Sequence, residues 1–173
     1  DELAPLELIE GPRFVSRGGE KLERALEALA IDVTGEDCLD VGASTGGFTD
    51  CLLQAGAARV CAVDVGRGQL HERLRRDPRV TVLERTNARR LLPADVPFAP
   101  TFLTCDVSFI SVRLVLPPAS AAAATGWRGL VLVKPQFEAG REDVGRGGVV
   151  RDPEVHRRVL REVAGAAPDW GAH

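Results

Sequence analysis

The sequence predicts an α/β fold: a doubly wound, mostly parallel sheet of the Rossmann-like type. Three observations carry that expectation. Apolar runs of strand length alternate with helical patterns along the chain, which implies parallel strands covered by helices on both faces. One run, Cys38-Leu39-Asp40-Val41, turns at Gly42 and passes through Ala43-Ser44-Thr45 to Gly46-Gly47-Phe48 and a helical pattern. Four charged residues, Asp40, Asp64, Asp106 and Lys134, fall at the ends of apolar runs. In such sheets the carboxyl ends of the strands form one rim, and ligands bind there.

Taken in order, residues 1–19 read as a linker, marked by Pro5, Pro12 and the Gly18-Gly19 pair. Residues 20–173 read as one domain. Its first helix, 20–30, has Leu22, Ala25, Leu26 and Leu29 on one face. Strand one is 38–42, followed by a helix near 46–56, and strand two is 59–65. A basic helix over 67–76 carries Arg67, Arg73, Arg75 and Arg76. Strand three is 80–84, and 86–97 is a loop or short helix bounded by Pro93 and Pro97. Strand four is 101–106, a helix spans 112–124, and strand five is 129–134. A glycine-rich loop fills 135–151. Asp152-Pro153-Glu154 opens the last helix, with Asp152 as N-cap and Pro153 in the first position.

Composition excludes several classes. The 173 residues are 45% hydrophobic and 27% charged, enough for one domain with a real core. A net charge of −3 gives no global attraction to nucleic acid, so an RNA contact needs a local basic face or another domain. No apolar run approaches membrane-spanning length, and no signal peptide is evident. Cys38, Cys51, Cys61 and Cys105 form no C-x-x-C pair, and the three histidines are scattered. The expectation is no metal site, and reduced core thiols of a cytoplasmic protein. The chain contains no methionine and reads as part of a longer protein.

The glycine loop narrows the ligand. Gly42, Gly46 and Gly47 lack the close first pair of a dinucleotide fingerprint, and no Gly-Lys-Ser/Thr follows as in a P-loop. The acid-led loop fits an S-adenosylmethionine (SAM) site better. Glycines there let the backbone approach a ligand, and Asp40 would take the ligand's amine. Asp64 ends the next strand and would accept hydrogen bonds from ribose hydroxyls. Asn87, after strand three, reads either as an adenine contact or as a turn residue. Phe48 is either a core residue or a wall of the cofactor site. Ser44 completes the loop's cofactor set, and Ser108 and Ser111 read as helix caps.

Lysine usage is the second chemical signal. Of 22 basic residues only Lys21 and Lys134 are lysines. Arginine stays protonated, whereas a desolvated lysine can lose its proton. A centre that needs a tunable base therefore needs lysine.

Five segments together resemble the TlyA family of ribosomal-RNA cytidine 2′-O-methyltransferases, whose members are often called haemolysins. They are Ser16-Arg17-Gly18-Gly19-Glu20-Lys21-Leu22, Asp40 through Thr49, Glu84 through Arg89, Cys105 through Ser111, and Val133 through Glu138. The resemblance covers residues 12–170 and implies an FtsJ-like methyltransferase domain that uses SAM. It implies Lys21, Asp106 and Lys134 as three members of a catalytic Lys-Asp-Lys-Glu tetrad, with ribosomal RNA or a ribosomal subunit as partner. Against that pattern the chain lacks an S4-like RNA-binding domain, the late catalytic Glu and the last strands of a seven-stranded sheet. Glu138 and Glu162 do not match the motif of that Glu.

Other readings compete. A nicotinamide-dependent oxidoreductase would need the close glycine pair. A non-enzymatic RNA- or ribosome-binding module could keep a methyltransferase shell. A membrane-lysing protein would need a basic amphipathic helix or an apolar span. Arg67, Arg73, Arg75, Arg76, Arg85, Arg89 and Arg90 read either as phosphate contacts or as solvated faces. The loop from Gly140 to Gly148, with Arg141 and Arg146, reads either as a segment that closes over RNA or as a plain connector.

Overall fold

A computed structural model describes residues 11–171. Five strands, β1 (Asp37–Val41), β2 (Arg59–Val63), β3 (Val80–Leu83), β4 (Phe102–Cys105) and β5 (Arg128–Val131), form one sheet in the order β3-β2-β1-β4-β5. Every pairing is parallel. The chain builds outward from β1 to β3, then returns to β1's other side with β4. The strand order therefore reverses between β1 and β4, which opens a crevice above their carboxyl ends.

Strand alternation sorts the two faces. Cys38, Val60 and Phe102 point into a core closed by helices α1 (Arg17–Ala28) and α2 (Gly47–Gln54), with Leu22, Leu26 and Leu52. Leu39, Val41, Cys61, Val63 and Leu103 point to the other face, covered by α4 (Val112–Ala121) with Val112, Val115 and Leu116. All four cysteines are free and buried, and burial pushes each thiol up to about 12. No helix among the described residues is long and apolar enough to cross a membrane.

The elements differ from expectation in instructive places. Part of the expected linker, residues 1–10, lies outside the described residues. Helix α1 begins at Arg17 rather than 20, because Ser16 caps it by accepting from the Gly18 N–H at 3.3 Å. The expected basic helix 67–76 shrinks to α3 (Glu72–Arg75). Gly68 adopts a positive φ of 65°, which right-handed helix does not allow, and Glu84 takes the Gln69 N–H at 3.2 Å. Strand β5 ends at Val131, so Lys134 is not its last residue but the N-cap of a short helix, α5 (Pro135–Glu138). The last helix, α6 (Pro153–Ala166), starts as expected: Asp152 accepts from the Glu154 N–H at 2.8 Å, and Pro153 stands first. Val155 and Val159 of α6 join Val150 and the partly buried Val133, Ala139 and Val144 in a small core under the glycine-rich loop.

Candidate active site

The crevice has two lobes. The first, about 610 Å³, is lined by the start of α1 (Ser16 to Lys21), the glycine loop with Phe48, and Asp106, Ser108 and Lys134. The second, about 600 Å³, is lined by Asp64, Gln69, the 86–89 turn and residues 106–110. Gly42, Ser44, Asp106 and Ser108 border both.

Where the lobes meet, Lys134 Nζ lies 2.6 Å from Asp106 Oδ1 and donates to Ser108 Oγ at 2.8 Å. The Lys134 and Asp106 side chains are only 20% and 19% exposed. Asp106 Oδ1 is shut off from solvent and has no partner in hydrogen-bond geometry. The Lys134 ammonium, 2.6 Å away, covers this oxygen. Lys21 lines the first lobe from α1. It is exposed, and among the described residues it makes no ion pair.

The glycine loop works partly for the fold. Gly42 has a φ of 87°, and a Cβ there would stand 2.9 Å from the Asp106 carbonyl oxygen. Only glycine lets β1's exit pass so close to the Asp106 backbone. At Gly47 a Cβ would strike Ser16 Oγ and lie 2.8 Å from Gly19 N, so this glycine seats α1 against α2. Gly46 departs from its expected cofactor role. It is buried beneath Leu74 and Leu70 of the α3 region and borders neither lobe.

Asp40 is a further correction. Its side chain is not offered to the crevice: the residue is 0% exposed. One carboxylate oxygen accepts from Thr49 Oγ1 at 2.7 Å and the other from Thr104 Oγ1 at 3.0 Å. The strand pleat turns Asp40 toward α2, on the same face as Cys38. Burial raises its carboxyl to about 6, against the lowering effect of the two threonine hydrogen bonds.

Asp64 does border the second lobe. Oδ2 accepts from the Ser44 N–H and Oδ1 from the Gly66 N–H, both at 2.7 Å. Asn87 is a turn residue at the edge of the crevice. Its Oδ1 accepts from the Arg89 N–H at 3.1 Å as a turn cap, and the residue borders the second lobe. Phe48 likewise belongs to the core and borders the first lobe. Glu84 holds the loop after β2. The Gly68 N–H, followed by Arg75 at 2.5 Å, lowers its carboxyl to about 2.

The arginines divide. Arg73 pairs with Asp50 at 2.7 Å, Arg75 with Glu84, and Arg76 with Glu72 at 2.8 Å. These are internal or face pairs. Arg67, Arg85, Arg89 and Arg90 are exposed and form no salt bridge among the described residues.

Three residues were not assigned to the site from sequence. Ser111 caps α4 as expected, but Ser108 bonds Lys134 instead of capping. Phe109 is 91% exposed with a positive φ of 64°, and its ring sits 5.2 Å from that of Phe137. A bulky residue held in that conformation is strained. Glu138 is buried, and its place is taken up below. All three lie inside segments quoted for the resemblance, so the available signal was the residue types surrounding Asp106 and Lys134.

A parallel sheet that reverses beside β1, with a glycine loop and a strand-end acid around the reversal, defines an α/β methyltransferase shell. The chain belongs to the FtsJ-like methyltransferase family, whose model matches residues 14–167. It is 53% identical over 160 residues to the protein of Mycobacterium tuberculosis named 16S/23S rRNA (cytidine-2′-O)-methyltransferase TlyA, covering 92% of this chain and 60% of that one. It is 41% identical over 170 residues to hemolysin A of Brachyspira hyodysenteriae, covering 96% and 70%. A solved structure of a candidate hemolysin from Streptococcus thermophilus superposes with a TM-score of 0.89 at 48% identity, covering 94% and 59%. The chain thus spans about three fifths of the length of two of these three relatives.

Proposed function

We propose that this chain carries the methyl-transfer centre of a SAM-dependent methyltransferase acting on a ribose 2′-hydroxyl of ribosomal RNA. The observation that carries this reading is the Asp106–Lys134–Ser108 cluster at the junction of two lobes, with Lys21 on the same rim.

The second lobe suits the cofactor. Its size falls in the range of roughly 300–1,000 Å³ usual for small-molecule sites. Asp64 uses each oxygen once on a backbone amide and retains lone pairs for two hydroxyls. Asn87 spends its Oδ1 on Arg89 and keeps its NH₂ for an adenine edge. The Gly42 and Ser44 backbone would hold the methionine portion, with Gly47 and Phe48 in the adjoining wall. SAM supplies, when bound, an electrophilic methyl group on a sulfonium.

In the first lobe the chain's own groups do the rest. Asp106 would orient the attacking hydroxyl through Oδ2, the carboxylate oxygen that is not shut off against Lys134. Lys134 and Lys21 would stabilise the negative charge that grows on that oxygen. As the hydroxyl oxygen takes the methyl group, leaving a neutral thioether, the hydroxyl proton would go to the Asp106 carboxylate, because Lys134 as an ammonium has no lone pair to accept it. Holding the hydroxyl in place supplies much of the acceleration. Arg67, Arg85, Arg89 and Arg90 would meet phosphates, and the exposed Phe109 offers a face for a base. Arg141 and Arg146, in the loop after α5, would close on RNA. The buried free thiols support a reducing compartment such as the cytoplasm.

Calorimetric titration tests the cofactor site. SAM is expected to bind and NAD is not. Asp64→Ala should weaken SAM binding about 10- to 100-fold, the worth of hydrogen bonds to a charged group. Unchanged SAM affinity in that variant would remove Asp64 from the site. Methyl incorporation into ribosomal subunits by the complete protein tests the reaction, and its absence would overturn the enzymatic reading.

A further inference from the structure

We infer that Glu138 is a positioning residue that sets the approach of Lys134 to Asp106; the inference rests on the methyl-transfer reading above. Glu138 lies four residues beyond Lys134, and Ser111 lies five beyond Asp106. Between these segments the sheet no longer helps. Pairing of β4 with β5 ends at Cys105 and Val131, and the last backbone bond across the seam runs from the Leu132 N–H to the Cys105 carbonyl at 2.8 Å. Past that point both strands become irregular chain, and Asp106 and Lys134 stand on that irregular chain.

Glu138 closes the gap from the far side. Its side chain is 1% exposed. One oxygen accepts from Ser111 Oγ at 2.5 Å and the other from the Val112 N–H at 2.7 Å. Arg113 Nε lies 3.4 Å from the carboxylate, and Arg113 also donates to the Glu138 carbonyl at 3.2 Å. The same guanidinium reaches Glu162 of α6 at 3.3 Å. A carboxylate at the first turn of α4 also meets the positive end of that helix. The reacting pair is therefore held between two fixed points, the end of the sheet and this clamp. Glu138 borders neither lobe of the crevice, so it cannot touch the reacting atoms and acts only through Lys134 and the 106–111 segment.

The geometry makes an unusual demand, because reach matters more than charge. Glutamine keeps the length, can accept from Val112 and can donate to Ser111. Aspartate keeps the charge but is one methylene short. A residue that only neutralised Arg113 would show the opposite preference.

Lysine scarcity supplies a direct readout. With side-chain ¹⁵N-lysine labelling, the chain yields signals from Lys21 and Lys134 alone. An ammonium held by Asp106 and Ser108 exchanges its protons slowly enough to give an Nζ correlation, while exposed Lys21 serves as the control. Glu138→Gln should keep the Lys134 correlation. Glu138→Ala and Glu138→Asp should lose or broaden it while still unfolding cooperatively in urea. In the complete protein, kcat should fall about 10- to 100-fold for Ala and Asp with little change in KM for SAM, and stay within about fivefold for Gln, as expected for displacement on the ångström scale. If Glu138→Ala fails to fold, the Gln–Asp contrast decides alone. An unaltered Lys134 correlation in Glu138→Asp, or a Gln variant worse than Asp, overturns the inference. A wild-type protein without methyl transfer would instead defeat the functional reading, and the lysine signals would still decide the clamp.

Discussion

Lys134→Ala is expected to slow methyl transfer by about 10²–10⁴-fold while leaving SAM affinity within about twofold. The split follows from where the side chain stands. Its ammonium faces Asp106 and Ser108 and borders the first lobe, not the lobe that carries Asp64 and Asn87. Removing it takes away the ammonium 2.6 Å from Asp106 Oδ1, an oxygen already closed to solvent, so the Asp106 side chain loses the contact that fixes its geometry. Arginine at this position should not restore the rate, because a broad planar guanidinium cannot reproduce the compact contact with two oxygens. Single-turnover methyl transfer by the complete protein, paired with calorimetry, reads both quantities. A Lys134→Ala protein that transfers methyl groups at the wild-type rate would sink the assignment.

The second large effect concerns stability. Asp40, with its carboxyl raised from 3.8 to about 6 by burial, makes the folded state hold a proton that the unfolded chain has released. Stability from this group is therefore fully present below about pH 4, falls as pH rises toward 6, and is flat above. The difference of about 2.2 pKa units corresponds to about 3 kcal/mol, of which about 2 kcal/mol falls between pH 4.5 and 7. Asp40→Asn can still bond both Thr49 and Thr104 through its carbonyl and amide but carries no titrating proton. Urea unfolding of the two proteins at pH 4.5 and 7 isolates the effect, because other titrating groups cancel. The variant should gain about 2 kcal/mol on the wild type between those pH values. A stability difference that is constant with pH would show that Asp40 does not titrate in this range.

The layers of the fold could be read from the chain because strand-length apolar runs and helix caps are local signals. Asp152-Pro153 declared α6 without help, and the Gly42 turn declared the exit from β1. Side-chain direction was harder. Asp40, Asp64 and Asp106 look alike in sequence, each following apolar residues, yet one pleat turns Asp40 into the core and leaves the other two at the rim. Arg73, Arg75 and Arg76 form a basic run whose charges are taken up by Asp50, Glu84 and Glu72, the first of which lies 23 residues away in sequence. The same holds for Glu138. Nothing local marks it, because its partners at Ser111 and Val112 come from a different strand connection. Such contacts are set by the sheet's order, which the sequence patterns do not spell out.

That order also bears on how the molecule assembles. Asp37 of β1 pairs with Arg59, 22 residues along, and Val60 of β2 pairs with Val80, 20 residues along. Cys38 must wait for Phe102, 64 residues away. Closing the longer loop costs about 1 kcal/mol more in chain entropy, and non-local pairing of this kind slows folding. The β1–β3 half is thus expected to gain amide protection first in pulse-labelled hydrogen exchange, with β4 and β5 following onto a platform already present. Simultaneous protection of all five strands would rule this out. On this sequence of events the wall bearing Asp64 matures early, and Asp106 and Lys134 meet only at the end, so a partly folded population would hold one wall of the second lobe before it held the Asp106–Lys134 contact.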